Sequence, residues 1–162
     1  MGARQKGFSL IELLIVVAII LIIAAIAIPN LLRSRMAANE SSAVGSLRTI
    51  NTAEVTYSTT YPTVGFAALT SLGGTPATCA QPTGASSAGA CLVDDVLAAT
   101  GIKSGYTFAA VAAGAPIAVT YTSNASPTAP GQSGQRYFCS DQSGVIRYNA
   151  GAACNPASDP AL

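Results

Sequence analysis

The chain has 162 residues, of which 50% are apolar and 9% are charged, with a formal net charge of +1. Soluble domains usually carry about 25% charged residues. This length suits one membrane segment and one modest domain, and no basic patch points to nucleic acid as a main partner. There is no histidine, which removes the commonest general base and the commonest metal ligand.

The most informative segment is an apolar run near the N-terminus. Sixteen residues, from Leu13 to Ile28, follow one another without a polar side chain. Counted from Phe8, only Ser9 and Glu12 interrupt a stretch close to the roughly 20 residues that cross a bilayer as a helix. An ionised carboxylate at hydrocarbon depth costs about 3 kcal/mol, so Glu12 calls for a partner or a function.

Two ordinary explanations of this segment leave Glu12 unexplained. A secretory signal peptide would use Arg4 and Lys6 as its basic region and could be cleaved after Ala25-Ile26-Ala27. A plain single-span anchor is the other explanation, and its orientation stays open because two basic residues stand on each flank. Either would carry a secreted or anchored binding domain.

The hexapeptide Gly7–Glu12, followed by a long apolar helix, resembles the N-terminus of type IV prepilins, which include type IV pilins and type II secretion pseudopilins. The likeness extends through Pro29 and, more loosely, to about Tyr61. The resemblance implies that a membrane peptidase cuts between Gly7 and Phe8, so that residues 1–7 are a leader. It also implies methylation of the new N-terminal amine on Phe8.

The family resemblance also implies a function and a set of partners. Glu12 would pair with the N-terminal amine of an adjacent subunit in a helical homopolymer. The chain would sit in the inner membrane, meet the prepilin peptidase and the assembly machinery there, and end in an extracellular pilus. A pseudopilus of the type II secretion system is the alternative within the family.

The long helix is predicted over residues 8–61, with 8–28 as the transmembrane and filament-core part. Pro29 removes a backbone N–H and clashes with the carbonyl four residues earlier, so we expect a kink or a locally unwound stretch there. Beyond it, apolar residues recur at helical spacing and predict a stripe that packs on a head domain. That stripe comprises Met36, Ala43, Leu47, Ile50, Tyr57 and Tyr61, together with Glu40 and Glu54.

The remaining residues, 62–162, predict a small α+β head. Helical patterns cover 66–72 and 92–100. Alternating apolar residues predict strands over 104–113, 116–122, 135–139 and 145–148. We expect these to form a four-stranded antiparallel sheet packed on the second half of the long helix, with residues 124–134 as a loop. The resemblance implies the same architecture, the pilin fold.

Four cysteines lie in the head, at positions 79, 91, 139 and 154. An even number in an exported domain favours two disulfides and an oxidising compartment. Three pairings are possible, and the sequence does not choose among them. We favour Cys79 with Cys91 and Cys139 with Cys154, because each pair lies within one local region.

The sequence offers no convincing catalytic or metal site in the head. Asp94-Asp95 is the one carboxylate pair, and adjacent residues on a helix point about 100° apart. Asp141 lies in a turn without the spacing of a calcium loop. We therefore expect a structural protein that is not an enzyme and needs no metal or cofactor.

Overall fold

The computed structural model describes residues 8–81 and 84–162. The predicted leader, including Gly7 of the expected cleavage site, lies outside the described residues. The chain divides into two compact units, Met1–Arg35 and Met36–Leu162. Within them, the long N-terminal helix and the small antiparallel sheet confirm the predicted α+β fold class.

Helix α1 runs from Leu10 to Thr60 and contains Pro29. The helix therefore does not end at this proline, although a bend there stays a prediction. The helix does end just before Pro62, as expected, because Tyr61 precedes a proline and such a residue avoids helical dihedral angles. The last bond of the helix joins the N–H of Tyr61 to the carbonyl of Tyr57 at 2.8 Å.

The head contains one five-stranded antiparallel sheet in which the strand order follows the chain order. Its strands are β1 (Ile102–Lys103), β2 (Tyr106–Ala113), β3 (Thr120–Pro127), β4 (Tyr137–Asp141) and β5 (Arg147–Asn149). Before the sheet, the described residues form three short helical segments: α2 (Leu69–Leu72), α3 (Pro76–Cys79) and a π-helical turn (Val96–Thr100).

Two details of the predicted head are wrong. The sheet has a fifth strand, β1, and β3 lies further along the chain than expected, so the first four residues of the predicted loop 124–134 belong to the strand. The inward residues of β3 include Tyr121, as predicted, but Ile117 and Val119 are exposed. The cause is pairing: β3 is matched residue for residue with β2 from Thr120 to Pro127, which overrides its polar composition.

The short helices were also predicted too long. The first, expected over 66–72, begins only at Leu69, and the second, expected over 92–100, is a π-helical turn that begins at Val96. In both places, residues that were predicted to be helical form backbone hydrogen bonds to other segments instead. The N–H of Leu92, for example, donates to the carbonyl of Leu72 at 2.8 Å.

The core of the head lies between the second part of α1 and the inner face of the sheet. It includes large buried side chains from α1, α2, the π-helical turn and strands β2 and β4: Leu47, Ile50, Tyr57, Leu72, Leu97, Tyr106, Phe108 and Phe138. Of the apolar residues in the predicted α1 stripe, four belong to this core, Tyr61 packs against it while partly buried, and the half-buried Met36 lies outside it. The predicted inward residues of β2, Tyr106, Phe108 and Ala110, belong to the core.

The C-terminal residues pair with the last strand. The N–H of Tyr148 donates to the carbonyl of Pro160 at 3.1 Å, and the N–H of Leu162 donates to the carbonyl of Ile146 at 2.9 Å. An antiparallel bridge joins Arg147 to Ala161 between them. The outer edge of β5 is therefore covered by the chain itself.

Candidate functional site

The predicted assembly residue, Glu12, lies in the first turn of α1. Ser9 precedes the helix, and its backbone N–H donates to Oε2 of Glu12 at 2.9 Å. The carbonyl of Ser9 accepts the first helical bond, from the N–H of Leu13 at 3.2 Å. This is the reciprocal half of a capping box, in which a glutamate three residues into the helix satisfies the N–H of the cap residue.

Glu12 thus has a structural task within its own chain. A carboxylate has two oxygens and about four lone-pair sites, so one bond from Ser9 leaves capacity for a second donor. The negative charge is also favourable at the positive end of the helix dipole. Phe8, two residues before the first residue of α1, is 80% exposed.

The apolar part of α1 is exposed along its length. Its large side chains from Leu10 to Leu32 are solvent-accessible in the described chain. An 18-residue window of this helix has a mean hydropathy of 3.3, with none of the window buried. By length and composition this helix can cross a membrane. Exposure of so much apolar surface to water is unfavourable.

The second part of α1 carries polar side chains on its buried face, and these fix the head. Glu40 accepts hydrogen bonds from the backbone N–H groups of Gln135 and Arg136 and from the Arg136 side chain. Burial alone would raise the pKa of Glu40, but these three donors and the positive charge outweigh burial and lower it.

Asn51 lies at the centre of a buried polar network. Its Nδ2 donates to Oγ of Ser140 at 2.8 Å, and its Oδ1 accepts from the hydroxyl of Tyr121 at 3.1 Å. The Ser123 hydroxyl also lies 3.4 Å from Oδ1, and the Ser140 hydroxyl donates to the carbonyl of Val145 at 3.0 Å. The network joins α1 to strands β3 and β4.

Neither Asn51 nor the buried serines Ser123 and Ser140 belong to a recognisable motif in the sequence. The one available signal is position: Asn51 follows Ile50 and lies one helical turn beyond Leu47, next to the predicted apolar stripe although not counted in it. A polar residue among apolar ones at that spacing has to find hydrogen-bond partners when the stripe is buried. Glu40 and Glu54 carry the same signal.

Both cysteine pairs of the head are joined in the sequential order. Cys79 pairs with Cys91, and Cys139 pairs with Cys154. The carboxylate of Asp159 lies within 4.8 Å of the sulfurs of the second pair, which by residue type alone would suggest a metal cluster. Because a metal binds the thiolate form of cysteine, a disulfide removes both sulfur ligands.

Two other candidate carboxylates, the exposed Asp94 and the half-buried Asp141, have structural partners. Asp94 receives a 2.8 Å hydrogen bond from Nζ of Lys103, and both side chains are well exposed. Oδ1 of Asp141 accepts from the backbone N–H of Ser143 at 2.9 Å, as expected for an aspartate that shapes a turn. The hydroxyl of Ser143 also donates to Oδ1 of Asp141, so both contacts hold the turn.

Comparison with known proteins finds relatives of the N-terminal segment. Residues 2–28 match the family described as the prokaryotic N-terminal methylation motif. The type IV major pilin protein PilA of Myxococcus xanthus is 48% identical over 54 residues, which cover 33% of this chain and 24% of that protein. The type IV wide pilus major component PilA4 of Thermus thermophilus is 63% identical over 38 residues, 24% of this chain and 29% of that protein.

The matched segment spans about a quarter of the length of these curated relatives. No solved structure matches the chain. The motif and the two relatives confirm the resemblance to the type IV pilin family, and the residues that match the motif include Phe8 and Glu12.

Proposed function

We propose that this chain is a structural subunit of a type IV pilus, which polymerises into a helical surface filament after residues 1–7 are removed. The observation that carries the proposal is the matched N-terminal motif, in which Glu12 stands at the start of an exposed apolar helix. In this proposal residues 8–28 span the membrane, the helix continues to residue 61, and residues 62–162 form the head.

The exposed apolar surface of α1 serves two environments in this proposal. Before assembly, lipid covers it in the inner membrane, where the prepilin peptidase cuts before Phe8 and methylates its amine. During assembly the helices of neighbouring subunits take the place of lipid, because hydrophobic burial does not depend on the direction or identity of the apolar partner. Contacts between different surfaces of identical subunits then grow into an open helix that ends at the cell surface.

Glu12 sets the register of the polymer. In the apolar filament core an unpaired carboxylate and an unpaired ammonium are both costly, whereas a bonded pair neutralises the two charges. The hydrogen bond from Ser9 fixes the direction of the Glu12 carboxylate at the helix start. The remaining lone pairs of this carboxylate accept a hydrogen bond from the N-terminal amine of Phe8 in the next subunit.

A pilus is favoured over a pseudopilus by two observations. Both relatives are named as major components of type IV pili. The disulfide between Cys139 and Cys154 also brackets the last strand, β5. A staple in this position is typical of many type IV pilins, and major pseudopilins tend to lack it.

The test is filament assembly by Glu12→Ala. We expect normal cleavage and normal membrane insertion, since alanine removes a costly carboxylate from the apolar segment. Filaments, sheared from cells and counted by electron microscopy, should be absent or severely reduced. Glu12→Gln keeps hydrogen bonding but cannot neutralise an amine, so it should give an intermediate yield.

Asp95→Ala is the matched control, because it removes an exposed carboxylate of the head. It should assemble like the wild type. Abundant filaments of wild-type length from Glu12→Ala would refute the role of this residue. If the wild-type chain, labelled in cells, were found only in short periplasmic filaments, the pseudopilin alternative would replace the pilus.

A further inference from the structure

The third acidic residue of α1, Glu54, has no evident role in assembly and an unusual environment. Its side chain is 0% exposed. Oε2 accepts one hydrogen bond, from the backbone N–H of Ala67 at 3.0 Å. Oε1 is buried and has no hydrogen-bond partner among the described residues. One donor for a fully buried carboxyl group is too little to offset the loss of water if the group is ionised.

The hydrogen bond to Ala67 holds the segment that leaves α1. This segment, 61–67, also pairs with the connection between β2 and β3, residues 114–119. The N–H of Ala118 donates to the carbonyl of Val64 at 2.9 Å, and the N–H of Phe66 donates to the carbonyl of Ala118 at 3.0 Å. Glu54 thus binds a segment that is itself paired with the connection 114–119.

The packing between these segments is close. Gly65 has a positive φ of 86°, and an added Cβ would collide with the carbonyl of Ala118. The ring of Phe66 packs against Tyr121, with 4.8 Å between the ring centres. The segment 61–67 therefore has to leave this position before water can reach Glu54.

We propose that the segment 61–67 is held on the head by the protonated form of Glu54, and that it loosens together with the connection 114–119 when Glu54 loses its proton. At mildly acidic pH both segments are then held in place at this end of α1. The pH does not change the order of the rest of the sheet. The inference goes beyond the proposed function, since it concerns the subunit alone.

The groups around Glu54 agree with this assignment. The titratable side chains that face it are Tyr57 of α1 and Tyr121 of β3, and Tyr61 packs on Tyr57. The connection 114–119 contributes no ionisable residue. Neither ion pair of the described residues includes Glu54. Burial raises the pKa of Glu54 to about 7, and the hydrogen bond from Ala67 opposes only part of that increase.

The direction of the pH dependence follows from the linkage between proton binding and opening. The closed form binds the proton more tightly than the open form, in which the pKa returns toward 4.5. The stabilisation is therefore complete below the open-state pKa and is lost as the pH rises toward the closed-state value. The opening equilibrium should increase about tenfold per pH unit between roughly pH 5 and pH 6.5, and level off above about pH 7.

Hydrogen–deuterium exchange of the full chain in detergent measures this equilibrium. After correction for the intrinsic exchange rate, peptides that cover 61–67 and 114–119 should lose protection as the pH rises from 4.5 to 8. Peptides from the paired parts of β2, β3 and β4 should keep their protection. Glu54→Gln, which is neutral at every pH, should abolish the pH response, and Asp95→Asn should leave it unchanged.

A titration of the wild-type protein keeps the test independent of whether Glu54→Gln folds. With the glutamate side-chain carboxyl carbons labelled with ¹³C, the NMR signal of Glu54 should titrate near neutral pH. A signal that titrates at the ordinary value for glutamate would overturn the proposal. So would unchanged protection of 61–67 across the titration, because water would then reach Glu54 without opening. Neither result depends on filaments, so a failure here is distinct from a failure of the proposed function.

Discussion

The Nε atom of Arg136 donates a 2.8 Å hydrogen bond to Oε2 of Glu40, which lies 96 residues earlier in the chain. Oε1 of the same carboxylate accepts the backbone N–H groups of Gln135 and Arg136 at 2.9 and 3.2 Å. The guanidinium of Arg136 also lies over the rings of Phe138 and Tyr148. One carboxylate of α1 therefore fixes the start of β4.

This arrangement predicts that Glu40→Gln lowers the stability of the head at neutral pH. The pKa of Glu40 is lowered in the folded protein, so its charge stabilises the head above the ordinary pKa of 4.5, and the stabilisation is lost as the pH falls below that value. We expect a loss of about 1 kcal/mol at pH 7, a modest figure because the Arg136 side chain is partly exposed and screened.

Thermal unfolding of the full chain in detergent at pH 7 and pH 3.5 checks this expectation. The difference between wild type and Glu40→Gln should shrink at the lower pH, because protonation of the wild-type carboxylate increases as the pH falls. Asp95→Asn, which changes an exposed carboxylate, should alter stability little at either pH. An equal loss at both pH values would mean that the charge of Glu40 is not what stabilises the head.

Processing is predicted to depend on Gly7. A peptidase whose site accepts only a residue without a side chain before the cut should reject Gly7→Val. Intact-mass measurement should then find the variant heavier than the mature protein by the seven residues of the leader. Gln5→Ala, a change within the leader but away from the cut, should be trimmed normally. A normally trimmed Gly7→Val chain would contradict the prepilin assignment.

The two disulfides are predicted to be large contributors to head stability. Cys79 and Cys91 are separated by 12 residues, and Cys139 and Cys154 by 15. On the chain-entropy model each closed loop of this size contributes about 3 kcal/mol. The paired change Cys139→Ser with Cys154→Ser should lower the free energy of unfolding by about that amount.

Peptide mapping without reduction tests the pairing itself. It should recover a fragment in which Cys79 is linked to Cys91 and another in which Cys139 is linked to Cys154. A fragment that links Cys79 to either C-terminal cysteine would show that the sequential pairing is wrong.

Asn51→Ala should be among the most damaging polar substitutions in the head. It leaves the hydroxyls of Tyr121 and Ser140 buried without their shared partner, and a buried polar group without a partner costs about 1–3 kcal/mol. We expect a loss of about 2–3 kcal/mol in chemical denaturation. Thr52→Ala, which removes an exposed hydroxyl on the next residue, should change stability by less than about 0.5 kcal/mol.

A double-mutant cycle separates the network from the helix itself. If Asn51 and Ser140 act together, Asn51→Ala combined with Ser140→Ala should cost less than the sum of the two single changes. Strict additivity would show that the 2.8 Å contact between them contributes nothing of its own.

The sequence predicted the long helix and the inward face of β2 because their signals are local. The apolar run of α1 and the alternation of Tyr106, Phe108 and Ala110 depend only on neighbouring residues. The boundaries of β3 depend on pairing instead: Ser123 and Asn124 look like loop residues until β2 and β4 supply hydrogen bonds on both sides. Tertiary pairing of this kind is not visible in the residues of the strand.

The polar contacts of the head likewise divide into those that local sequence predicts and those that depend on the tertiary fold. Glu40 and Glu54 were placed on the correct face of α1 from their spacing alone. Their partners, Arg136 and Ala67, lie in segments whose approach is set by the whole fold, so the sequence gives no means to pair them. Glu12 differs, since Ser9 lies three residues away and the motif Ser-x-x-Glu can be read directly.

The covered edge of β5 limits how subunits can join. An unpaired strand edge offers a row of N–H and C=O groups to another chain, and addition of a strand there is a common route to aggregation or to peptide capture. In this head the residues after Asp159 occupy that position on β5, and the strand at the opposite end of the sheet, β1, has only two residues, one of them Lys103. Growth by strand addition is thereby disfavoured. In the proposed polymer each subunit would therefore recruit the next through side-chain surfaces, and such a polymer could be taken apart without unfolding any sheet.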